Sequence, residues 1–266
     1  HYVLRREEAR DLCGLVIAAT RRTLERMPGA PSKRLQDLPF AAVALRRLLR
    51  ATGARRVVFS ANGLREGWYA RRLGAAVRAE EPMLAAARDL GNRFGRDPTM
   101  PDALLRWSAP LFTDETPEQA ILREAACWMS DTGSHDHPDY RAEQALLRVL
   151  RQPGVGLDHH ARAFLALCVA LRYEPVLDPA STAGPRGLLT PAALARAELL
   201  GSALRLAYTL SGGTPALLGR TELQAAPGLL RLRLRQGHGV FAGEPVQRRM
   251  EALASAMGAR AEVVAD

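Results

Sequence analysis

Three stretches of this chain hold residues whose types and spacing suit chemistry on anions or metals. Phe59-Ser60-Ala61-Asn62-Gly63-Leu64-Arg65-Glu66-Gly67 describes a strand edge, a glycine turn and a charged helix start, in that order. Gly63 can adopt the positive φ of a sharp turn, and the free N–H groups of Leu64, Arg65 and Glu66 would then face whatever lies beyond the strand end. Asn62, Gly63 and Arg65 are therefore candidate anion ligands; an ordinary strand-turn-helix corner with Asn62 as its N-cap is the competing account. Leu229-Leu230-Arg231-Leu232-Arg233-Leu234-Arg235 alternates with period two, which puts leucines on one strand face and Arg231, Arg233 and Arg235 on the other. Guanidinium groups repeating every ~6.5 to 7 Å along a strand could track a phosphate polymer, with a solvated outer face as the alternative. Finally, Asp131, His135, Asp136, His137 and Asp139 concentrate metal-ligating types in one place. Helix and turn capping by Asp131 and Asp139 accounts for them more simply. His159 and His160 add at most one distant ligand, because neighbours on a helix point ~100° apart.

The elements that must position these residues are legible in outline. Residues 4–27 carry a helical stripe of Leu12, Leu15, Val16, Ala19 and Leu24, ended by Pro28-Gly29-Ala30-Pro31. A helix over 38–50 and a strand over 56–60 follow, together reading as the tail of an α/β lobe. Beyond Gly74 the pattern is almost purely helical. Segments 81–94, 101–112, 117–130, 138–150, 158–173 and 191–211 are each bounded by Pro, Gly or a polar break, which predicts a helical bundle. Residues 174–187, with three prolines and two glycines, are expected to form a loop. Ser211-Gly212-Gly213-Thr214-Pro215 follows a helix, so it exposes carbonyls and suits a glycine C-cap better than a phosphate loop. Strand 229–235, with Thr221-Glu222-Leu223-Gln224 and Gly239-Val240-Phe241 as partners, predicts a small antiparallel sheet, closed by a helix over 245–257. The domain division expected is 1–75, 76–215 and 216–266.

Composition narrows the function classes. Of 266 residues 47% are hydrophobic and 24% charged, a normal globular balance with enough apolar material for a sizeable core. The longest apolar run, 163–171, is far below the ~20 residues needed to cross a bilayer, so no membrane role is expected. Cys13, Cys127 and Cys168 lie far apart with no CxxC spacing, which argues against a disulfide framework or zinc site and fits free thiols in a reducing cytoplasm. The net charge is +9, and Lys33 is the only lysine among 37 basic residues. Arginine's planar fork suits phosphate oxygens, so a polyanion is the natural partner, although arginine on solvated helix faces is an equal alternative.

The order of the segment from Lys33-Arg34-Leu35-Gln36-Asp37-Leu38-Pro39-Phe40-Ala41-Ala42 to Gly63-Leu64-Arg65-Glu66-Gly67 resembles the exopolyphosphatase/guanosine pentaphosphatase (Ppx/GppA) family. Further matches are Trp128-Met129-Ser130-Asp131-Thr132-Gly133, His137-Pro138-Asp139-Tyr140-Arg141-Ala142-Glu143 and Ala203-Leu204-Arg205-Leu206-Ala207-Tyr208-Thr209-Leu210-Ser211-Gly212-Gly213. The resemblance implies a mainly α chain: the end of an actin-like α/β lobe, an HD-like helical bundle, and a small C-terminal antiparallel sheet plus helix. It also implies that the catalytic acidic base and Asp-x-Gly-Gly-Gly-Ser phosphate loop belong to N-terminal lobes, and no such motif occurs in these residues. With His1-Tyr2-Val3-Leu4 read as running directly into a helix, the chain is expected to be a C-terminal fragment, inactive alone. HD phosphohydrolases bind metal through a His-Asp pair; the matching pair here is Ser130-Asp131, and a serine hydroxyl is a poor substitute for imidazole.

By this resemblance the parent enzyme uses Mg²⁺, at a site outside this chain, to hydrolyse terminal phosphate from inorganic polyphosphate or guanosine pentaphosphate. This region would channel polyphosphate, select its length and supply homodimer contacts, in the cytoplasm, with no metal or other cofactor of its own. Two alternatives belong to other classes: a basic helical module that binds RNA or another polyanion without hydrolysis, and an independent HD-type metallohydrolase.

Overall fold

The computed structural model describes residues 2–30, 32–153, 156–235 and 243–265, and the chain falls into two compact units, 1–74 and 75–266. It is mainly helical. The Gly239-Val240-Phe241 strand partner expected from sequence lies outside the described residues.

In the first unit a two-stranded antiparallel sheet joins β1 (Tyr2–Arg5) to β2 (Arg56–Phe59), with Tyr2 opposite Phe59 and Leu4 opposite Val57. The single helix expected over 4–27 is thus corrected at both ends. Leu4 and Arg5 are drawn into strand by pairing with Val57 and Arg56 of β2, and helix begins as α1 (Arg6–Ala18). It breaks at Ala19 and resumes as α2 (Arg21–Glu25), where the Thr20 hydroxyl accepts from the Thr23 N–H at 3.2 Å. α3 (Leu38–Thr52) packs on α1, burying Ala9, Cys13, Ala42 and Leu49. Gly53, at φ 65°, ends α3. A short α4 (Leu64–Ala70) follows.

The second unit opens with α5 (Ala75–Ala79), α6 (Pro82–Phe94), α7 (Met100–Ser108) and α8 (Pro117–Met129). α9 (Arg141–Leu150), α10 (His159–Tyr173), α11 (Pro179–Gly187), α12 (Pro191–Ser211) and α13 (Pro215–Leu218) complete the bundle. The 163–171 apolar run becomes the middle of α10, where every residue from Ala163 to Arg172 is buried by α8, α9, α11 and α12. No helix among the described residues is long and apolar enough to cross a membrane. Small side chains let α12 press onto α10: a Cβ on Gly201 would stand 2.7 Å from Leu171 Cβ and 3.0 Å from the Cys168 carbonyl oxygen. Gly201→Ala should therefore cost about 1–3 kcal/mol through overpacking, measured as a lowered urea midpoint with an unchanged m-value.

Residues 174–187 were expected to be a loop, yet they contain α11. Asp178 caps it by accepting from the Ser181 N–H at 2.9 Å, and Pro179 sits where a missing N–H costs nothing. Pro185 lies inside the helix, but Thr182 and Pro185 are buried in its contact with α10, and this packing outweighs the breaker.

The C-terminal sheet, expected to be antiparallel, is mixed. β3 (Thr221–Ala226) pairs antiparallel with β4 (Leu229–Leu234) through a turn at Gly228, φ 73°. β5 (Arg260–Ala265) runs parallel to β4, because the intervening α14 (Glu244–Ala256) carries the chain back to the start of the strand. Leu230, Leu232 and Leu234 are fully buried against this unit's core.

Candidate anion-binding cleft

The ends of α10 and α12, the start of α9 and the face of α14 surround an open cleft of about 580 Å³. Five arginines line it: Arg96, Arg141, Arg172, Arg205 and Arg249. Each arrives for a local reason. Arg96 follows the Gly95 turn that ends α6, Arg141 opens α9, Arg172 closes α10, Arg205 lies within α12, and Arg249 lies within α14.

Asp131 is the floor of this arrangement. Its Oδ2 accepts from Arg96 Nε at 2.8 Å and from the Arg96 backbone N–H at 3.2 Å, while Oδ1 accepts from Arg96 Nη2 at 2.9 Å and Arg172 Nη2 at 2.9 Å. The carboxylate is therefore saturated by cationic and amide donors and fixes two guanidinium groups. Arg96 also donates to the Gly212 carbonyl at 3.3 Å, and the hydrogen bond to Asp131 holds its proton more firmly than usual. Arg172 stacks between two rings, with its guanidinium carbon 3.8 Å from the centroids of both Tyr173 and Tyr208. Both phenols are pinned. Tyr208 shares a hydrogen bond with the buried Ser130 hydroxyl at 2.9 Å, and the Tyr173 oxygen accepts from the Gly133 N–H at 2.8 Å. Burial pushes Tyr173 up to about 12 and raises Tyr208 further, so both stay neutral.

The other three arginines differ. Among the described residues no carboxylate forms an ion pair with Arg141, Arg205 or Arg249; Arg205 donates to the Tyr173 carbonyl, and Arg141 lies 6.0 Å over the Tyr173 ring. Burial, and then the neighbouring Arg249, pull Arg205 down to about 10, and burial followed by Arg248 lowers Arg249. Glu174 and Asp139 stand exposed in the lining. Partly desolvated, mutually repelling cations without paired carboxylates are chemically suited to an incoming multivalent anion.

The residues singled out from sequence have other neighbourhoods. Asn62, Gly63 and Arg65 are exposed in the first unit. Glu66 turns back to accept from the Gly63 N–H at 2.7 Å and pairs with Arg65 at 3.1 Å, so the turn supplies its own carboxylate to that amide, and these bonds lower Glu66's pKa, the Gly63 contact most. α4 begins there and is only seven residues long. On β4, Arg231 pairs with Glu262 of β5 at 2.6 Å, and Arg235 lies 3.9 Å from Glu222 of β3. Arg233 faces Glu222 in register.

The acidic-histidine cluster is dispersed by its own partners. Asp131 serves the arginines, Asp136 pairs with Arg148 at 2.9 Å, and His137 Nδ1 accepts from the Asp139 N–H at 3.3 Å. His159 and His160 open α10, about 20 Å along the helix from Arg172 at the other end. Among the described residues, no group of three or more His, Cys, Asp or Glu side chains converges as a metal site. The three cysteines are buried and free. Ser211-Gly212-Gly213 is the C-cap of α12, with Gly212 at φ 60°.

Sequence reasoning missed all five cleft arginines, four of which come from four separate helices and the fifth, Arg96, from the turn after α6. One local signal existed: Arg172-Tyr173 and Arg205-x-x-Tyr208 place arginine beside tyrosine on otherwise apolar helices, where an unpaired charge would be costly.

No curated protein matches the chain at a significant level. The family model for the C-terminal region of exopolyphosphatases matches residues 83–264, which takes in α6 to β5 and every arginine of the cleft. This match, over more than half of the sequence, establishes that the chain belongs to the exopolyphosphatase C-terminal family.

Proposed function

We propose that this chain is the accessory region of an exopolyphosphatase-type phosphohydrolase and that it holds inorganic polyphosphate in the five-arginine cleft. The observation that carries the reading is the set Arg141, Arg205 and Arg249, which converge with no ion-paired carboxylate among the described residues. Successive phosphates of a chain each offer acceptor oxygens to such guanidinium groups, and Asp131 presets Arg96 and Arg172 so that less side-chain freedom is lost on binding.

In this reading the first unit is the tail of an actin-like lobe, and the helices that follow form a degenerate HD-like bundle. Ser130 stands where that superfamily places a histidine, but it serves here to anchor Tyr208. The carboxylates near the cleft do not fit magnesium: Asp131 is saturated by donors, and Asp139 and Glu174 are exposed single groups. Hydrolysis is assigned to residues outside this chain, and the role of the cleft is to retain the polymer between turnovers. Guanosine pentaphosphate as substrate, length selection, homodimer contacts and a cytoplasmic setting belong to the same proposal.

The test is equilibrium binding of long-chain polyphosphate at fixed ionic strength, with RNA as competitor, alongside a phosphate-release assay containing magnesium. Saturable binding that RNA displaces only weakly, without phosphate release, is the expected result. Preferential binding of RNA would move the chain to the class of nucleic-acid-binding modules, and turnover would place catalytic residues within it.

A further inference from the structure

A second cavity of the helical unit, about 400 Å³, is walled by α7, α13 and β3. It falls within the ~300 to 1,000 Å³ typical of small-ligand sites, and its chemistry differs from that of the arginine cleft. Ala103, Arg106, Trp107 and Pro110 line it at positions i, i+3, i+4 and i+7, so one stripe of α7 and the turn that follows supplies a continuous wall. Pro215 and Leu218 of α13 and Leu223 of β3 complete the apolar lining. The indole is fixed in place. Trp107 Nε1–H donates to Thr221 Oγ1 at 2.8 Å, and the Thr221 hydroxyl donates to the Leu218 carbonyl at 2.9 Å. The floor is therefore preformed, and a ligand would not have to order it.

The charged part of the lining is Arg106, Glu222 and Arg235. Arg235 and Glu222 stand 3.9 Å apart, the outer limit of an ion pair, and two guanidinium groups against one carboxylate give the described lining a single net positive charge. One anionic group matches that balance, whereas a multiply charged phosphate would be repelled by Glu222. We propose that this cavity binds a small molecule with a flat apolar body and one carboxylate. The body lies against Trp107 and the two proline rings, and the carboxylate is taken by Arg106, since Arg235 is shared with Glu222. No residue of the arginine cleft takes part, so this site stands or falls separately from polyphosphate binding.

The experiment titrates the full chain by calorimetry with 2-naphthoate, with its uncharged amide 2-naphthamide, and with 2-naphthyl phosphate at about pH 8, where the phosphate is doubly charged. 2-Naphthoate should bind saturably and about tenfold more tightly than the amide, and the phosphate should bind no more tightly than the carboxylate. Arg106→Gln, at an exposed position, should weaken 2-naphthoate about tenfold and leave the amide within about twofold. In the ¹⁵N-labelled chain the indole N–H signal of Trp107 should move on addition of 2-naphthoate while those of Trp68 and Trp128 stay in place; Trp68→Phe and Trp128→Phe assign the three signals.

Equal affinity for 2-naphthoate and 2-naphthamide, parental 2-naphthoate affinity in Arg106→Gln, or an unmoved Trp107 signal would each overturn the proposal, as would failure of 2-naphthoate to bind at all. Tighter binding of 2-naphthyl phosphate than of 2-naphthoate would overturn the carboxylate assignment and give the cavity to phosphate esters.

Discussion

Replacing Arg205 and Arg249 together with alanine should lower polyphosphate affinity about a hundredfold. Each guanidinium-phosphate contact in a partly desolvated site is worth about 1.5 kcal/mol, close to tenfold in affinity, and two such contacts combine if they act independently. The comparison is the triple alanine variant of Arg231, Arg233 and Arg235, which removes more charge from the strand face. Arg231 already spends its guanidinium on Glu262 at 2.6 Å, so that variant should lose only about threefold, through the weakened overall field. Titration at one ionic strength decides between them. A larger loss from the strand variant would transfer the phosphate site to β4. The pH dependence has a definite sign. Arg205 is depressed to about 10, so its charge is penalised in the folded chain below that pH, and the penalty is relieved as pH rises through it. Phosphate binding needs the charged form and should fall over the same interval.

Asp131→Ala should be the most destabilising substitution in the cleft. It strands Arg172, which is 8% exposed, without its carboxylate; breaking a buried pair from one side typically costs about 3–5 kcal/mol. The Arg96 contact adds little to that figure, because Arg96 is 41% exposed and water can replace the partner. For a unit of this size the loss corresponds to a melting temperature lowered by roughly 10 °C. Asp131→Asn keeps an acceptor oxygen and should lose about half as much. Thermal unfolding followed by circular dichroism measures both. An unchanged midpoint for Asp131→Ala would mean that the arginine-carboxylate network is not what orders the cleft. Polyphosphate would then offer a further readout: by supplying the missing negative charge, it should stabilise Asp131→Ala more than the parent chain.

The helices of the second unit were legible because their apolar periodicity and their Pro, Gly and Thr boundaries coincide. Thr116, Thr190 and Asp158 all cap the helices that follow them. Signals failed where a distant partner chose the conformation. Leu4 and Arg5 read as helix until β2 offers a strand to pair with, and the proline-rich 174–187 segment reads as loop until α10 offers a face on which Thr182 and Pro185 can be buried. The direction of β5 was also hidden, since it depends on the crossover through α14 rather than on any residue in the strand.

The sequence by itself determined the family resemblance, the helical character, the strongly cationic charge and the leucine and arginine faces of β4, because each is a property of local pattern or of composition. Tertiary structure decided which cations matter. Arg96, Arg141, Arg172, Arg205 and Arg249 look no different from the other arginines along the chain, and only packing shows which have a carboxylate and which have none among the described residues. Spacing along the chain reports which residues share one element; the pairing of charges depends on distances between elements, set by how α10, α12 and α14 pack and by the buried carboxylate of Asp131.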